Sequence, residues 1–577
     1  MLNVKLTNRW NGGVVALALA AGLVVTDIGA AAAAPANPLY SGGGTFAEVI
    51  YRKVWDCYAS NSAGTPPSLG PVDPACTAAG VAPYRADVEI LYSGVGSGNG
   101  KKAFIKVLSG NHDTAQLISG SRTPGGPDCA VLPYSGDFGP FYNLSGANPQ
   151  PGNGETACAD GTFRGTTPIY PKLSFAGSDD PLVTGDLTTY NTNSTALGWG
   201  PAKQFPAFQG GVAVAFNPPA GFNPKGKKAS GGTSFVDFSR ETYCGIFGGT
   251  IQFWDDPAIT ADNKGIPLAG HTPIEVVVRG DGSGTTFLFT NGLIHQCGST
   301  SSPSHGISAA HALPDQFFTD NGLNPVGFNV DDNSDAAHQS NNNFFININN
   351  ATHLPHAVSG TTPGFTLKNG NGGIQLYADQ TPNTIDYLSG DFVQPAAGAL
   401  DGNGNPTPVS ANLQTWQNVL AIEAGTTTSK IWVAITPKTV AKIMASVLPP
   451  VFTCSGPGCA DDPLAWGKSN PQPTTSSTYP LGGFTFFDTY TCYASASDVD
   501  AMFGQTAGNL GFFRWWFGSS TENAALPKTL LAGNSFATVP SKWTGAIKKL
   551  LFKTKTLKVG TPGAANTGCS GVSGTGA

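Results

Sequence analysis

Charge is scarce in this chain. Asp, Glu, Lys and Arg make up 12% of its 577 residues, where a soluble domain usually carries about a quarter. The apolar fraction is 40%, enough to build folded cores, so charge-driven disorder is excluded. Neither sign forms a basic face: Lys and Arg number 31 against 37 Asp and Glu, which argues against a nucleic-acid partner. The motifs of metal and redox chemistry are missing too. The eight His are scattered without His-Glu-x-x-His or paired-ligand spacing, and Cys-x-x-Cys spacing is absent. No metal, cofactor or catalytic thiol is therefore expected.

Long apolar runs are lacking after the first residues. Lys430 to Val451 is broken by Pro437, Lys438 and Lys442, so it falls short of the roughly 20 apolar residues a membrane helix needs. The start of the chain differs: Lys5 and Arg9 precede an apolar stretch from about Val14 to Val25, then small residues from Ala30 to Ala36. This is the pattern of a secretory signal occupying residues 1–36. No Cys follows it before Cys57, so the lipid-anchored export route has no acceptor at the usual place. A periplasmic or secreted location is expected. The net charge of −6 becomes one unit more negative when Lys5, Arg9 and Asp27 leave with the signal.

What is abundant is Gly and Pro, 75 and 44 residues, interleaved with Val, Ile, Phe and Tyr runs, which reads as strands, turns and long loops. The length allows two or three domains and favours a cleft between lobes. Ten Cys in an exported chain favour disulfides; the expected local bridges are Cys57 with Cys76, Cys129 with Cys158 and Cys454 with Cys459. Residues 110–172, rich in Gly, Pro and Asn, read as an elaborated loop. Asn341 to Gly373 and Thr453 to Thr478 read as further loop-rich segments.

One unit recurs: a short apolar strand, a Gly/Ser/Thr turn, then a helix start. It is seen at Leu39 to Phe46, at Val88 to Ser97 and at Ile274 to Phe289. Strands alternating with helices predict α/β layers whose ligands sit at the carboxyl ends of the strands. Phe208 to Gly211, before the strand Val212 to Phe216, reads as a crossing between lobes. The first N–H groups of a helix lack intrahelical partners and carry partial positive charge, so such turns suit oxyanions. In Arg279-Gly280-Asp281-Gly282-Ser283-Gly284-Thr285 the hydroxyls and N–H groups are joined by an always-charged planar donor, Arg279, which Asp281 can brace. Taken alone, this is more often an ordinary turn. Asp179 adds a distinction: a carboxylate beside an anion repels it unless the anion donates a proton, as phosphate can and sulfate at neutral pH cannot. Its blander reading is a loop cap before Pro181.

Taken in order, Gly44-Thr45-Phe46, Gly94-Val95-Gly96-Ser97, Gly177-Ser178-Asp179-Asp180-Pro181-Leu182, Gly210 to Val214, Ile251 to Ile259 and Arg279 to Phe287 resemble the periplasmic phosphate-binding proteins of high-affinity phosphate ABC transporters. Weaker matches stand at Asn371 to Ile374 and Thr384 to Tyr387. The resemblance implies an α/β, two-lobed periplasmic-binding-protein fold of type II with loop insertions and a hinged cleft. Lobe I would be 37–207 plus 483–577, and lobe II 208–482. It also implies a phosphate site built from Thr45, Phe46, Ser97, Asp179, Arg279, Ser283, Gly284 and Thr285, with Asp281 in support. The partners implied are inorganic phosphate and an inner-membrane ABC permease, the receptor acting as a monomer. Lys101 and Lys102, after Ser97, depart from the pattern and alter the local charge.

Other candidates are weaker. Asp401 to Asn405 starts like a calcium loop, but Pro406 and Asn412 stand where Gly and Glu belong, and Asp331 to Asp335 reads as a solvated loop. Phe512, Phe513, Trp515 and Trp516 read as a core helix. The alternatives to a receptor are a secreted phosphatase using Thr45, Ser97 or Ser283, with no His or Lys neighbour to activate them, and an extracellular scavenging or adhesion protein on the same fold.

Overall fold

The computed structural model describes residues 37–59, 76, 84–108, 111–112, 172–223, 236–304, 306–326, 339–355, 364–393, 409–410, 412–414, 431–473, 475–553 and 558–577. The signal, nearly all of the 110–172 insertion, the bridge expected between Cys129 and Cys158, and the loops at Asp331 and Asp401 lie outside them.

Ten strands form one mixed sheet. The principal ones are β1 (Asn37–Gly43), β2 (Val88–Gly94), β3 (Phe175–Ser178), β4 (Lys203–Phe216), β5 (Glu275–Arg279), β6 (Gly364–Lys368), β7 (Thr384–Ser389), β8 (Gly482–Thr489) and β9 (Phe536–Thr538). Their order is β6-β5-β7-β4-β8-β3-β1-β2, with β9 on β4. β1, β2 and β3 run parallel, as do β5, β6 and β7. The two parallel groups are joined through antiparallel β4 and β8.

β4 is the device that joins them. Lys203 to Gly211 pair with β8, and Val212 to Phe216 pair with β7. The expected crossing at Phe208 to Gly211 is thus part of one continuous strand of 14 residues, because its backbone groups find β8 on one side and β9 on the other. Gly210 is needed there: a Cβ would stand 2.4 Å from the Phe46 ring.

Five of the parallel strands run through a short turn into a helix, and in all but the third that turn is Gly-rich. α1 (Glu48–Tyr58) follows β1, α2 (Ser97–Ile105) follows β2, α3 (Thr184–Leu197) follows β3, α4 (Gly284–Cys297) follows β5 and α5 (Gly370–Gln380) follows β6. The helix after Ser97 stops at Ile105, because Val107–Leu108 pairs with Asn111–His112. One reading is corrected here. The stretch from Asn341 to Gly373 is more than loop: it holds a helix, Phe344–Asn350, and all of β6, with Phe344, Phe345 and Phe365 buried in the core.

Aromatic packing holds the helices on the sheet. Tyr51 stacks on Trp55 at 5.0 Å and on Phe487 at 5.2 Å. The expected core helix, Phe512–Trp516, brings Phe513 to 5.0 Å from Phe487. Burying each such ring stabilises the fold by roughly 1.5–3 kcal/mol. Disulfides join Cys57 to Cys76 and Cys454 to Cys459 as expected, and two more join Cys244 to Cys297 and Cys492 to Cys569. The longer-range pair tethers the chain end to the strand-end segment after β8.

Candidate functional site

The carboxyl ends of β1, β2, β3 and β5 converge, and with them the turns that follow. Gly44 N donates to Gly177 O at 3.0 Å, Val95 N to Gly43 O at 2.9 Å and Gly98 N to Gly282 O at 3.1 Å. Tyr92 Oη donates to Gly44 O at 2.8 Å and holds the first turn. Gly96 takes φ 87° as the residue before α2, a conformation that favours Gly, and this aims Ser97 into the junction.

At that junction Ser97 Oγ lies 3.0 Å from Asp179 Oδ2, and Asp179 N donates to the same Oγ at 3.0 Å. The turns crowd around this pair. A Cβ on Gly44 would stand 2.5 Å from Asp179 Oδ2 and 2.9 Å from Ser97 Oγ; one on Gly284 would stand 2.3 Å from Ser97 Oγ and 2.6 Å from Asp179 Cβ. Both glycines therefore let backbone approach the carboxylate closely. Ser283 is the N-cap of α4, its Oγ accepting from Thr286 N at 3.1 Å, which leaves its own hydrogen to donate.

All eight expected site residues are buried, Thr45 and Thr285 at 2% and 1% exposure. Three of their side-chain atoms, Thr45 Oγ1, Thr285 Oγ1 and Asp179 Oδ1, are sealed from solvent without a hydrogen-bond partner. Such atoms are costly in a core, and three of them gather on the converging turns. Phe46 contributes differently from its neighbours. Its ring packs edge-on against Phe536 at 5.4 Å, so only its backbone can serve the site.

Asp179 is pushed up to about 6 by burial, opposed by the Thr485 and Ser97 hydroxyls and the Arg279 charge. The Thr485 hydroxyl is itself spent on Ser178 O at 3.3 Å; it lowers Asp179 without making a hydrogen bond of ordinary geometry to it.

Arg279 is anchored as its spacing to Asp281 suggests. Nε donates to Asp281 Oδ1 at 2.6 Å, Nη2 to Oδ2, and the backbone N to Tyr387 Oη at 3.0 Å. Asp281 Oδ1 also accepts from Gly370 N at 3.1 Å, which ties in the start of α5. One further contact was missed in the sequence: Nη1 donates to Asn371 Oδ1 at 3.0 Å. The signal was present in the Gly-rich start Gly370-Asn371-Gly372-Gly373, which pointed to a turn but not to a partner for Arg279. Asn342, whose carbonyl accepts from Ser283 N at 2.9 Å, carried no signal at all.

Lys101 does not change the charge of the site. Its Nζ lies 2.6 Å from Asp180 and 3.1 Å from Asp186, and Asn342 Nδ2 donates to the same Asp180 carboxylate at 2.6 Å. Asp180 is thus a counter-ion rather than a second ligand group.

Residues 61–398 match the family model for the PBP superfamily domain. Over 411 residues, 69% of this chain and 86% of the relative, the chain is 27% identical to a phosphate-binding protein from an unknown prokaryotic organism. It is 26% identical over 417 residues to alkaline phosphatase L of Pseudomonas aeruginosa, covering 71% of this chain and 83% of that one. Among solved structures, a phosphate-binding protein from Stenotrophomonas maltophilia shares the fold at a TM-score of 0.50 and 18% identity, over 94% of this chain and 100% of the other. With strand ends, Gly-rich turns and helix starts gathered on one buried polar junction, the chain belongs to the PBP superfamily and has its two-lobed type II fold.

Proposed function

We infer that this chain is an exported receptor that captures inorganic phosphate and delivers it to an ABC permease of the inner membrane. The observation that carries this is the buried Asp179 carboxylate with an unspent Oδ1 among hydrogen-bond donors. A phosphate that keeps a proton can donate it there, whereas sulfate at neutral pH brings only lone pairs against a negative charge. Thr45, Ser97, Ser283 and Thr285 offer hydroxyls, and the turns at Phe46, Gly284 and Thr285 offer N–H groups. Arg279, braced by Asp281, offers a planar cation. Relatives named for phosphate binding support the same reading.

The change of partners along β4 between Gly211 and Val212 supports lobes of 37–207 with 483–577 and of 208–482. These close on the ligand as a hinged pair, and the receptor acts as a monomer. Titration calorimetry of the mature chain with phosphate and with sulfate tests the reading. Tight sulfate binding with no phosphate heat would remove it.

A second reading is favoured by the Ser97–Asp179 contact at 3.0 Å, which puts a hydroxyl on a carboxylate, and by relatives called alkaline phosphatase L. A base near 6 is weak toward a serine hydroxyl, so binding remains the conclusion. Release of phosphate from a chromogenic monoester by the wild type, abolished in Ser97→Ala, would reverse that order.

A further inference from the structure

Behind Arg279 the hydrogen bonds do not end at Asn371. Asn371 Nδ2 donates to Ser389 Oγ at 3.0 Å, and Ser389 Oγ donates to Asp391 Oδ1 at 2.6 Å. With Arg279 Nη1 donating to Asn371 Oδ1 at 3.0 Å, every hydrogen along this line points the same way, from the guanidinium toward Asp391. Arg279, Asn371 and Ser389 are all buried and Asp391 is half-buried, so water does not stand in for the Asn371 amide or the Ser389 hydroxyl. The polarity is imposed at the far end: ionised Asp391 only accepts, so it turns the Ser389 hydroxyl toward itself and leaves that oxygen to take the Asn371 amide. The amide oxygen is then left facing Arg279.

Asp391 lies in the one-turn 3-10 segment Gly390–Phe392 that follows β7, and its Oδ2 is closed off from solvent without a partner. Burial pushes its carboxyl up to about 7; the Ser389 hydroxyl and the Lys53 charge pull it down, and the Asp179 charge pushes it further up. Lys53 comes from α1 and is itself bound to Asn534 Oδ1 at 2.7 Å. Asp391 therefore feels both the helix that follows the Thr45 turn and the carboxylate at the centre of the cage. The fold alone gives no reason to place an acid there.

We propose that Asp391 is a positioning residue of the anion cage, the terminal acceptor of a relay through Ser389 and Asn371 that fixes the guanidinium of Arg279 for the ligand. This rests on the phosphate reading above. Asp281 alone grips Arg279 along one edge, through Nε and Nη2; the relay sets the remaining nitrogen, Nη1, and so fixes the plane of the guanidinium. A planar donor turned out of place loses paired hydrogen bonds to a tetrahedral oxyanion.

The test is phosphate titration calorimetry on the full mature chain, with thermal unfolding recorded for each variant. Asn371→Ala and Asp391→Ala are each expected to weaken phosphate binding on the order of tenfold. The double variant should be no weaker than the worse single one, because the two act through one line. Asp391→Asn keeps an oxygen for the Ser389 hydroxyl and should return to within about threefold of wild type. Should Asp391→Ala fail to fold, Ser389→Ala cuts the same line one step earlier and is read by the same criteria. Losses that add in the double variant, an Asn variant as weak as the Ala one, or Ala variants that bind like wild type would each overturn the relay. A wild type that takes no phosphate overturns the phosphate reading and the relay with it; silent variants in a binding wild type overturn the relay alone.

Discussion

Replacing Asp179 by Asn removes one charge and almost no volume, so it isolates what that charge does. The Ser97 hydroxyl, 3.0 Å from Oδ2, finds an amide oxygen in its place, and the junction keeps its shape. For sulfate, the wild-type carboxylate presents a like charge at about 4 Å, worth roughly 4 kcal/mol at an effective dielectric near 20 for one of the dianion's two charges alone, which sets a lower bound. Removing it is expected to raise sulfate affinity by a factor on the order of 1,000. For phosphate the variant loses a charge-assisted hydrogen bond, roughly 1.5–3 kcal/mol, or about tenfold to a hundredfold in affinity. The two anions move in opposite directions, which a general loosening of the site would not produce. Competition calorimetry at pH 8 reads both, since Asp179, raised to about 6, is charged there. The sign of the pH effect follows: below about 6 the wild-type carboxyl becomes neutral and able to donate, so its rejection of sulfate should relax toward pH 5, while the Asn variant stays flat. An unchanged phosphate-to-sulfate ratio in the variant, or pH-independent rejection in the wild type, would refute the role given to this carboxylate.

Arg279→Ala should weaken phosphate binding about a hundredfold. It should also lower the unfolding midpoint, because Asp281 is left near-buried at 9% exposure without its counter-ion; a variant that binds normally would remove Arg279 from the cage. Gly284→Ala would drive a methyl to 2.3 Å from Ser97 Oγ and 2.6 Å from Asp179 Cβ, so calorimetry should find phosphate binding lost while unfolding shifts by only about 1–3 kcal/mol. Lys203, buried and without a partner at Nζ, is lowered to about 7 from 10.5 by burial. Its folded form resists protonation, so its cost to stability grows as pH falls from 10.5 and is complete below about 7. Lys203→Met should therefore stabilise the chain by up to about 5 kcal/mol at pH 6 and far less at pH 9.5; equal gains in urea melts at the two pH values would contradict this.

The parts of the cage that were legible in the sequence are those confined to one turn. Arg279 and Asp281 are two residues apart and find each other across a single bend, and Gly96-Ser97 announces a strand end and a helix start by composition. Asp179 was singled out by its chemistry rather than its neighbours, and the structure buries it beside Ser97. The partners contributed from elsewhere were not readable: Asn371 lies 92 residues beyond Arg279, and Asp391 follows a strand that reaches the site only because β7 pairs with both β4 and β5. The stretch from Asn341 to Gly373 misled by composition, since its Asn-rich surface pattern hides two phenylalanines that anchor a helix. The crossing expected at Phe208 to Gly211 lies within one continuous strand, where its glycines admit the Phe46 ring and the Ile435 side chain; that the strand changes partners just there could not be read from composition.

The charges explain how an acidic chain can hold an anion at all. Lys101 is neutralised by Asp180 and Asp186, and the Arg279 cation is matched by Asp281, so neither leaves a free positive charge at the turns. Asp179 then adds a negative one. On the phosphate reading, attraction comes at short range from the spare N–H donors of Arg279 and from oriented N–H groups and hydroxyls at the starts of α1, α2 and α4, whose partial charges are fixed in place by the strands behind them. Such donors reward an anion only at contact range, and they do so equally for sulfate and phosphate. On the proposed reading discrimination is left to the Asp179 carboxylate, and the glycines at 44 and 284 bring backbone within contact of its side chain rather than shielding it.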